Sequence, residues 1–272
     1  MLRAAKNAGK KLFQAFGLEI RRKRPVDTER ASMRGALRQL KSLGFAPHTV
    51  IDVGVAYETG HLYPEFPDAR ILLIEPQAEF EPCLQEICRK YKAEYVLAAA
   101  GAEAGTATFN VHVDQLNSSS LLKEVEGASV DGVPREVNVV TIDQVCAEKK
   151  LEGPYFIKLD VQGAELQVLS GARKTLEKTE ALHLEATFFA TMIGGPQVYD
   201  LIYQMKGLGF VVYDIGDFLY RPLDNALMQA DLVFVREVGR FRESHAFATP
   251  EQRKALAVPT DRRLSTSGAS PR

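Results

Sequence analysis

The feature that most constrains this chain is a regular alternation. Short, nearly continuous apolar runs are separated by longer amphipathic segments. The runs "TVIDVG" (49–54), "ARILLIEP" (69–76), "AEYVLAAA" (93–100), "YFIKLDV" (155–161) and "ALHLEATFF" (181–189) carry little of the polar alternation of a half-solvated strand. Strands apolar on both sides belong to a mostly parallel sheet with helices on both faces. Residues 78–91 supply one such helix, with Phe80, Leu84, Ile87 and Tyr91 on one face, and 141–150, 164–178 and 196–208 supply others. "GFVVYDIG" (209–216) and "ADLVFVRE" (230–237) follow each other with no helix between them, which predicts an antiparallel hairpin at one edge. "TATFNVHV" (106–113) and "REVNVVTID" (135–143) read as strands flanking a polar stretch, "DQLNSSSLLKE".

The two ends differ from this body. Residues 1–24 hold eight Lys/Arg and one Glu, with Leu2, Ala5, Leu12, Phe13 and Phe16 at roughly helical spacing. Such a segment can lie on an anionic membrane surface, on a partner or on the protein's own body. A second amphipathic helix is predicted over 28–43, with Met33, Leu37, Leu40 and Leu43 inward and Gly44 as its stop. From 238 the chain turns polar and aperiodic, so a mobile tail is expected there. The expected division is a helical extension over 1–46, a main domain over 47–237 and the tail over 238–272. A length of 272 residues with 46% hydrophobic residues is ample for one large core. A net charge of −1 gives no overall attraction for nucleic acid. Three cysteines in no metal-ligand spacing, with no apolar run near ~18 residues, lead us to expect a cytoplasmic protein.

In open α/β sheets the ligand site lies beyond the carboxyl ends of the strands. Those ends carry Asp52, Val53 and Gly54, then Glu75 and Pro76, Ala99 and Ala100, Asp160, and Glu185. Carboxylates gathered on one rim repel one another and cost stability unless paired, so they suggest function. Glu75 follows Asp52 by 23 residues, a spacing suited to an acid that accepts from a ribose diol. The loop "DVGVAYETG" holds only Gly54 and Gly60, short of the glycine pattern that cradles a pyrophosphate. An acid just before the first glycine favours a ligand with an ammonium group and no phosphate. S-adenosylmethionine fits that description better than NAD.

The succession "VIDVG", "IEP", "NSSSLL", "VVTIDQV" and "IKLDVQGAELQVLSGA" resembles the FkbM family of S-adenosylmethionine-dependent methyltransferases over roughly residues 47–236. The resemblance implies a seven-stranded class I methyltransferase fold, and O-methylation of a sugar, glycan or natural-product hydroxyl. It places the cofactor loop on Asp52 to Gly54, the ribose acid on Glu75 and the substrate-side motif on Asp160 to Glu165. Two positions depart from the family pattern: Glu58 stands where a glycine is frequent, and Gln162 replaces a glutamate.

Within "YFIKLDVQGAE", Lys158 and Asp160 share one strand face, so each can neutralise the other. Gly163 allows a sharp turn into a helix, and Glu165 then falls in its first turn, where the dipole favours a negative charge. Asp160, Glu185 and His183 are the candidate general bases for a hydroxyl acceptor. Asp160 and Glu185 could alternatively chelate a divalent ion. His183 also reads as a core histidine, His61 as a surface residue, and "NSSS" (117–120) as either a substrate contact or a turn. The competing functional readings are an NAD-dependent oxidoreductase and a methyltransferase-like binding protein without turnover.

Overall fold

The computed structural model of the chain describes residues 28–256. The N-terminal amphipathic segment (1–24) and the last residues of the expected tail lie outside that range. After a short 3-10 turn (Thr28–Ala31), helix α1 (Met33–Ser42) starts at Ser32, whose hydroxyl accepts from Gly35 N at 3.2 Å. It buries Met33, Leu37 and Leu40 as expected, but it ends before Leu43, which is 49% exposed.

The remaining strands and helices follow in order. They are β1 (Thr49–Val53), β2 (Arg70–Ile74), α2 (Glu81–Lys90), β3 (Ala93–Val96), β4 (Ala99–Ala100), β5 (Gly105–Val111) and β6 (Val133–Val140), then α3 (Ile142–Glu148) and β7 (Tyr155–Leu159). Next come α4 (Glu165–Ser170), α5 (Arg173–Glu177), β8 (Thr179–Thr187), α6 (Val198–Gly207), β9 (Phe210–Tyr220), β10 (Leu227–Arg236) and α7 (Pro250–Leu256).

Seven strands form one sheet in the order β3-β2-β1-β7-β8-β10-β9. The first five run parallel, and β10 is antiparallel to both neighbours. This is the class I methyltransferase arrangement that the resemblance implied. The edge hairpin is longer than the apolar runs suggested, because β9 continues to Tyr220 and β10 begins at Leu227.

Three sequence expectations are corrected. The run 93–100 is not one strand: β3 stays in the main sheet, while β4 joins β6 and β5 in a separate three-stranded sheet closed over Phe109, Val111, Val137 and Val139. The helix expected over 164–178 breaks at Gly171, which packs so closely that a Cβ there would stand 2.1 Å from the Gly101 carbonyl. The segment after 238 is not featureless: Phe241 stacks edge-on against Phe45 at 5.9 Å and packs on Tyr213 at 6.0 Å.

Strand alternation sorts the core into two layers. Ile51, Ile74, Ile157, Leu182, Leu232 and Phe234 face α3 to α6. Val50, Leu73, Phe156, Ala181, Val233 and Val235 face the other way, toward α1 and α2. All the charged strand residues considered below stand on this second face, nearer the carboxyl ends. Among the described residues no helix is long and apolar enough to cross a membrane.

Candidate active site

Parallel register carries the second face across the sheet in rows. Asp52 pairs with Lys158, and Lys158 with His183. One step nearer the rim, Glu185 pairs with Asp231, and Asp160 and Gly54 sit just past the ends of β7 and β1. Glu75 follows the end of β2. A cavity of about 360 Å³ opens over this outer row. Its walls include Val53, Gly54, Glu75, Pro76, Ala99 and Asp160, and also His183 and Glu185. Of the nine residues proposed from sequence, Asp52 alone is absent from the lining.

Asp52 lies beneath the floor and is 0% exposed. It accepts from the Tyr63 hydroxyl at 2.6 Å and stands 3.2 Å from Lys158 Nζ. Its charge is therefore spent inside the fold and does not face a ligand ammonium, as the loop reading supposed. Lys158 donates to the Gly54 carbonyl at 2.6 Å and lies 3.6 Å from Asp160. Burial works to lower its pKa, but Asp52 and Asp160 outweigh burial and the ammonium is held charged. This accounts for the lysine in an apolar strand: it neutralises the buried aspartate and ties the β1 loop to β7. Gly54 is needed there, with φ +74° and room for no Cβ, which would stand 1.8 Å from the Asp160 carbonyl.

Glu75 is fixed by two backbone donors, Ala56 N to Oε2 and Gln77 N to Oε1, both at 3.0 Å. Burial raises its pKa against those bonds. The opposite end of the row has a different organisation. Gln162, held at φ +52°, uses one amide nitrogen to donate to Asp160 Oδ1 at 2.9 Å and Glu185 Oε2 at 2.8 Å. The residue that replaces a family glutamate thus bridges two carboxylates that another acid could not join. Burial, then Asp160 and Asp231, push Glu185 up to about 9. It therefore carries a proton at neutral pH and is a poor base there. Asp160, with a side chain 37% exposed, is the available carboxylate.

Other positions differ from the sequence reading. Glu165 is 3% exposed and accepts from Gly163 N at 3.1 Å. Burial raises it to about 7, so desolvation outweighs the favourable helix end. His61 is not a surface residue: it lines the cavity, its Nε2 is buried without a hydrogen-bond partner, and burial followed by His183 lowers its pKa. In "NSSS", the Ser119 hydroxyl donates to the Leu116 carbonyl at 2.7 Å and Ser120 to the Gln162 carbonyl at 2.8 Å. Those two serines brace the loop, and Asn117 and Ser119 both line the cavity. Asp231 escaped the sequence reading altogether. The signal was present: the last strand runs antiparallel, so its start, not its end, lies at the rim. Among the described residues no group of three or more His, Cys, Asp or Glu is arranged to hold a metal ion.

The chain is 39% identical over 64 residues to the 2-O-methyltransferase NoeI of Sinorhizobium fredii, covering 24% of this chain and 26% of that protein. Solved structures similar to it include a precorrin-6y C5,15-methyltransferase from Geobacter metallireducens, with 10% identity and a TM-score of 0.40 over 79% of this chain and 91% of that one. Another is a 1,6-didemethyltoxoflavin-N1-methyltransferase from Burkholderia thailandensis with bound S-adenosylhomocysteine, with 11% identity and a TM-score of 0.39 over 86% and 87%. The model of the methyltransferase FkbM domain matches residues 52–212, more than half of the sequence, and the chain therefore belongs to the FkbM methyltransferase family.

Proposed function

We propose that this methyltransferase uses S-adenosylmethionine and transfers the methyl group to a hydroxyl of a sugar, glycan or natural product. The observation that carries the reading is Glu75. Its carboxylate is held in the cavity wall by two backbone amides, which leaves lone pairs for a ribose diol. Ile74, Pro76, Ala99, Phe109 and Leu121 supply apolar wall for a base beside it. The acidic rim suits a cationic nucleoside and disfavours a phosphate, which sets the oxidoreductase alternative aside. The donor set therefore fits the cofactor.

When bound, the cofactor supplies an electrophilic methyl on sulfur, and the C–S electron pair leaves with the sulfur as a thioether. The protein's part is to align the acceptor oxygen with that bond and to take its proton. Asp160 is placed for the proton: it sits at the rim, with one oxygen fixed by Gln162 and Lys158 close by. Glu185, protonated beside it, donates or accepts a hydrogen bond to the acceptor without competing for the proton. The match to a 2-O-methyltransferase supports oxygen as the acceptor atom.

The test is calorimetric titration with S-adenosylmethionine and S-adenosylhomocysteine. Glu75→Ala should weaken cofactor binding by about 1.5–3 kcal/mol, the range for hydrogen bonds to a charged group. Unchanged affinity in that variant would remove the ribose assignment.

A further inference from the structure

We propose that the acceptor carries an ammonium group, held at the end of the cavity remote from Glu75 by Glu185, Asp231 and His183. The proposal rests on the functional reading above and names the substrate class of that same site.

The first argument is a charge count. Glu75, Asp160, Glu185 and Asp231 line the cavity, with Glu58 at its mouth, and Lys158 is the lysine or arginine among the lining residues. That lysine already faces Asp52 at 3.2 Å and the Gly54 carbonyl at 2.6 Å. A bound S-adenosylmethionine, with a sulfonium, an ammonium and a carboxylate, adds one net positive charge. Glu75 is committed to the ribose and Asp160 to the reacting end. Glu185 and Asp231 then have no lysine or arginine of their own among the lining residues. A neutral acceptor would leave two facing carboxyl groups sharing a proton, and an anionic acceptor would add a third negative group. An ammonium resolves the repulsion. The strain is already visible, since burial together with Asp160 and Asp231 pushes Glu185 up to about 9.

The second argument is independent of charge. His183 is 4% exposed, lines the cavity, and has no hydrogen-bond partner on either Nδ1 or Nε2. Its Nε2 stands 3.1 Å from Asp231 Oδ2. With the proton on Nε2, facing the carboxylate, Nδ1 is a bare acceptor in a buried wall. An unmet acceptor there costs free energy unless a ligand donates to it. A primary ammonium has three donors. Asp231, Glu185 once it gives up its proton to solvent as the cation binds, and one imidazole nitrogen match them in number. An ammonium held in this way has no lone pair, so the methyl group goes to a neighbouring hydroxyl and not to the nitrogen.

The experiment uses the protein loaded with S-adenosylhomocysteine and three ring-matched probes: glucosamine, N-acetylglucosamine and glucuronate. Binding is followed by NMR saturation-transfer titration. Glucosamine should bind at least about tenfold more tightly than N-acetylglucosamine, and glucuronate most weakly. The preference should shrink to less than about threefold in both Asp231→Asn and Glu185→Gln, which retain the shape of the side chains. Equal affinity for glucosamine and N-acetylglucosamine, failure of glucosamine to bind, or a preference that survives both variants overturns the proposal. Cofactor affinity in the same samples separates the two levels. Tight cofactor binding without an amine preference sinks only this inference, whereas loss of cofactor binding sinks the functional reading beneath it.

Discussion

Replacing Lys158 with methionine should destabilise the protein more than any substitution on its surface. The side chain is 5% exposed and its partner Asp52 is 0% exposed. Methionine restores most of the volume but leaves the Asp52 carboxylate with the Tyr63 hydroxyl as its single hydrogen-bond donor. Removing one member of a buried ion pair costs about 3–5 kcal/mol, because the other charge stays desolvated. Domains are stable by about 5–15 kcal/mol in total, so the loss is a large fraction. For a domain of this size it corresponds to a fall in melting temperature of roughly 6–20 °C. Removing both charges should cost far less than the sum of the single changes, since a pair replaced together leaves nothing unpaired. Equilibrium urea unfolding of Lys158→Met, Asp52→Asn and the double variant measures this coupling directly. The sign with pH is also set. Burial pulls the lysine down, Asp52 and Asp160 pull it up further, and the net pKa is raised. Its stabilisation is then fully present below the unfolded lysine value of about 10.4 and lost only as pH rises past it. Titration of the lysine itself therefore adds no pH dependence to the penalty between pH 6 and pH 9. A loss under about 1 kcal/mol, or strict additivity in the double variant, would refute the argument that this pair holds β1 to β7.

Two further outcomes are expected. Asp160→Asn keeps the Gln162 contact and removes the charge, so turnover should fall by roughly 10²–10⁴-fold with cofactor affinity little changed; steady-state kinetics beside calorimetry will show whether affinity collapses instead, which would make Asp160 a cofactor ligand. Glu185 is raised to about 9 by burial and its acidic neighbours, so the folded state holds a proton that the unfolded state releases near 4.3; its contribution is present below that value and is lost as pH rises through about 9. Glu185→Gln should therefore gain stability relative to the parent between pH 5 and pH 9, and melting temperatures that differ by the same amount at both ends of that range would contradict the assignment.

Much of this protein is decided by local pattern. Apolar runs too continuous for a solvated face required a parallel sheet covered on both sides, and two runs without an intervening helix required the edge hairpin. Period-two alternation in "YFIKLDV" was enough to place Lys158 and Asp160 on one face, and the strand-end rule brought Glu75, Asp160 and Glu185 to one rim. Tertiary structure decided the partners. Asp52 and Lys158 are 106 residues apart in sequence, and no spacing rule says that the lysine chooses Asp52 over Asp160; their register across β1 and β7 does. Asp231 reaches the site because β10 runs antiparallel, which reverses which end of the strand lies at the rim. His61 enters the cavity because the segment after β1 folds back over the sheet, where an isolated histidine in a polar loop had suggested solvent. Glu165 shows the same limit from the energetic side: its helix position is local and predicted a stabilised charge, whereas its protonation follows from burial. Strand faces and strand ends depend on residues next to one another in sequence, while pairing, burial and charge state depend on residues brought together only when the sheet closes.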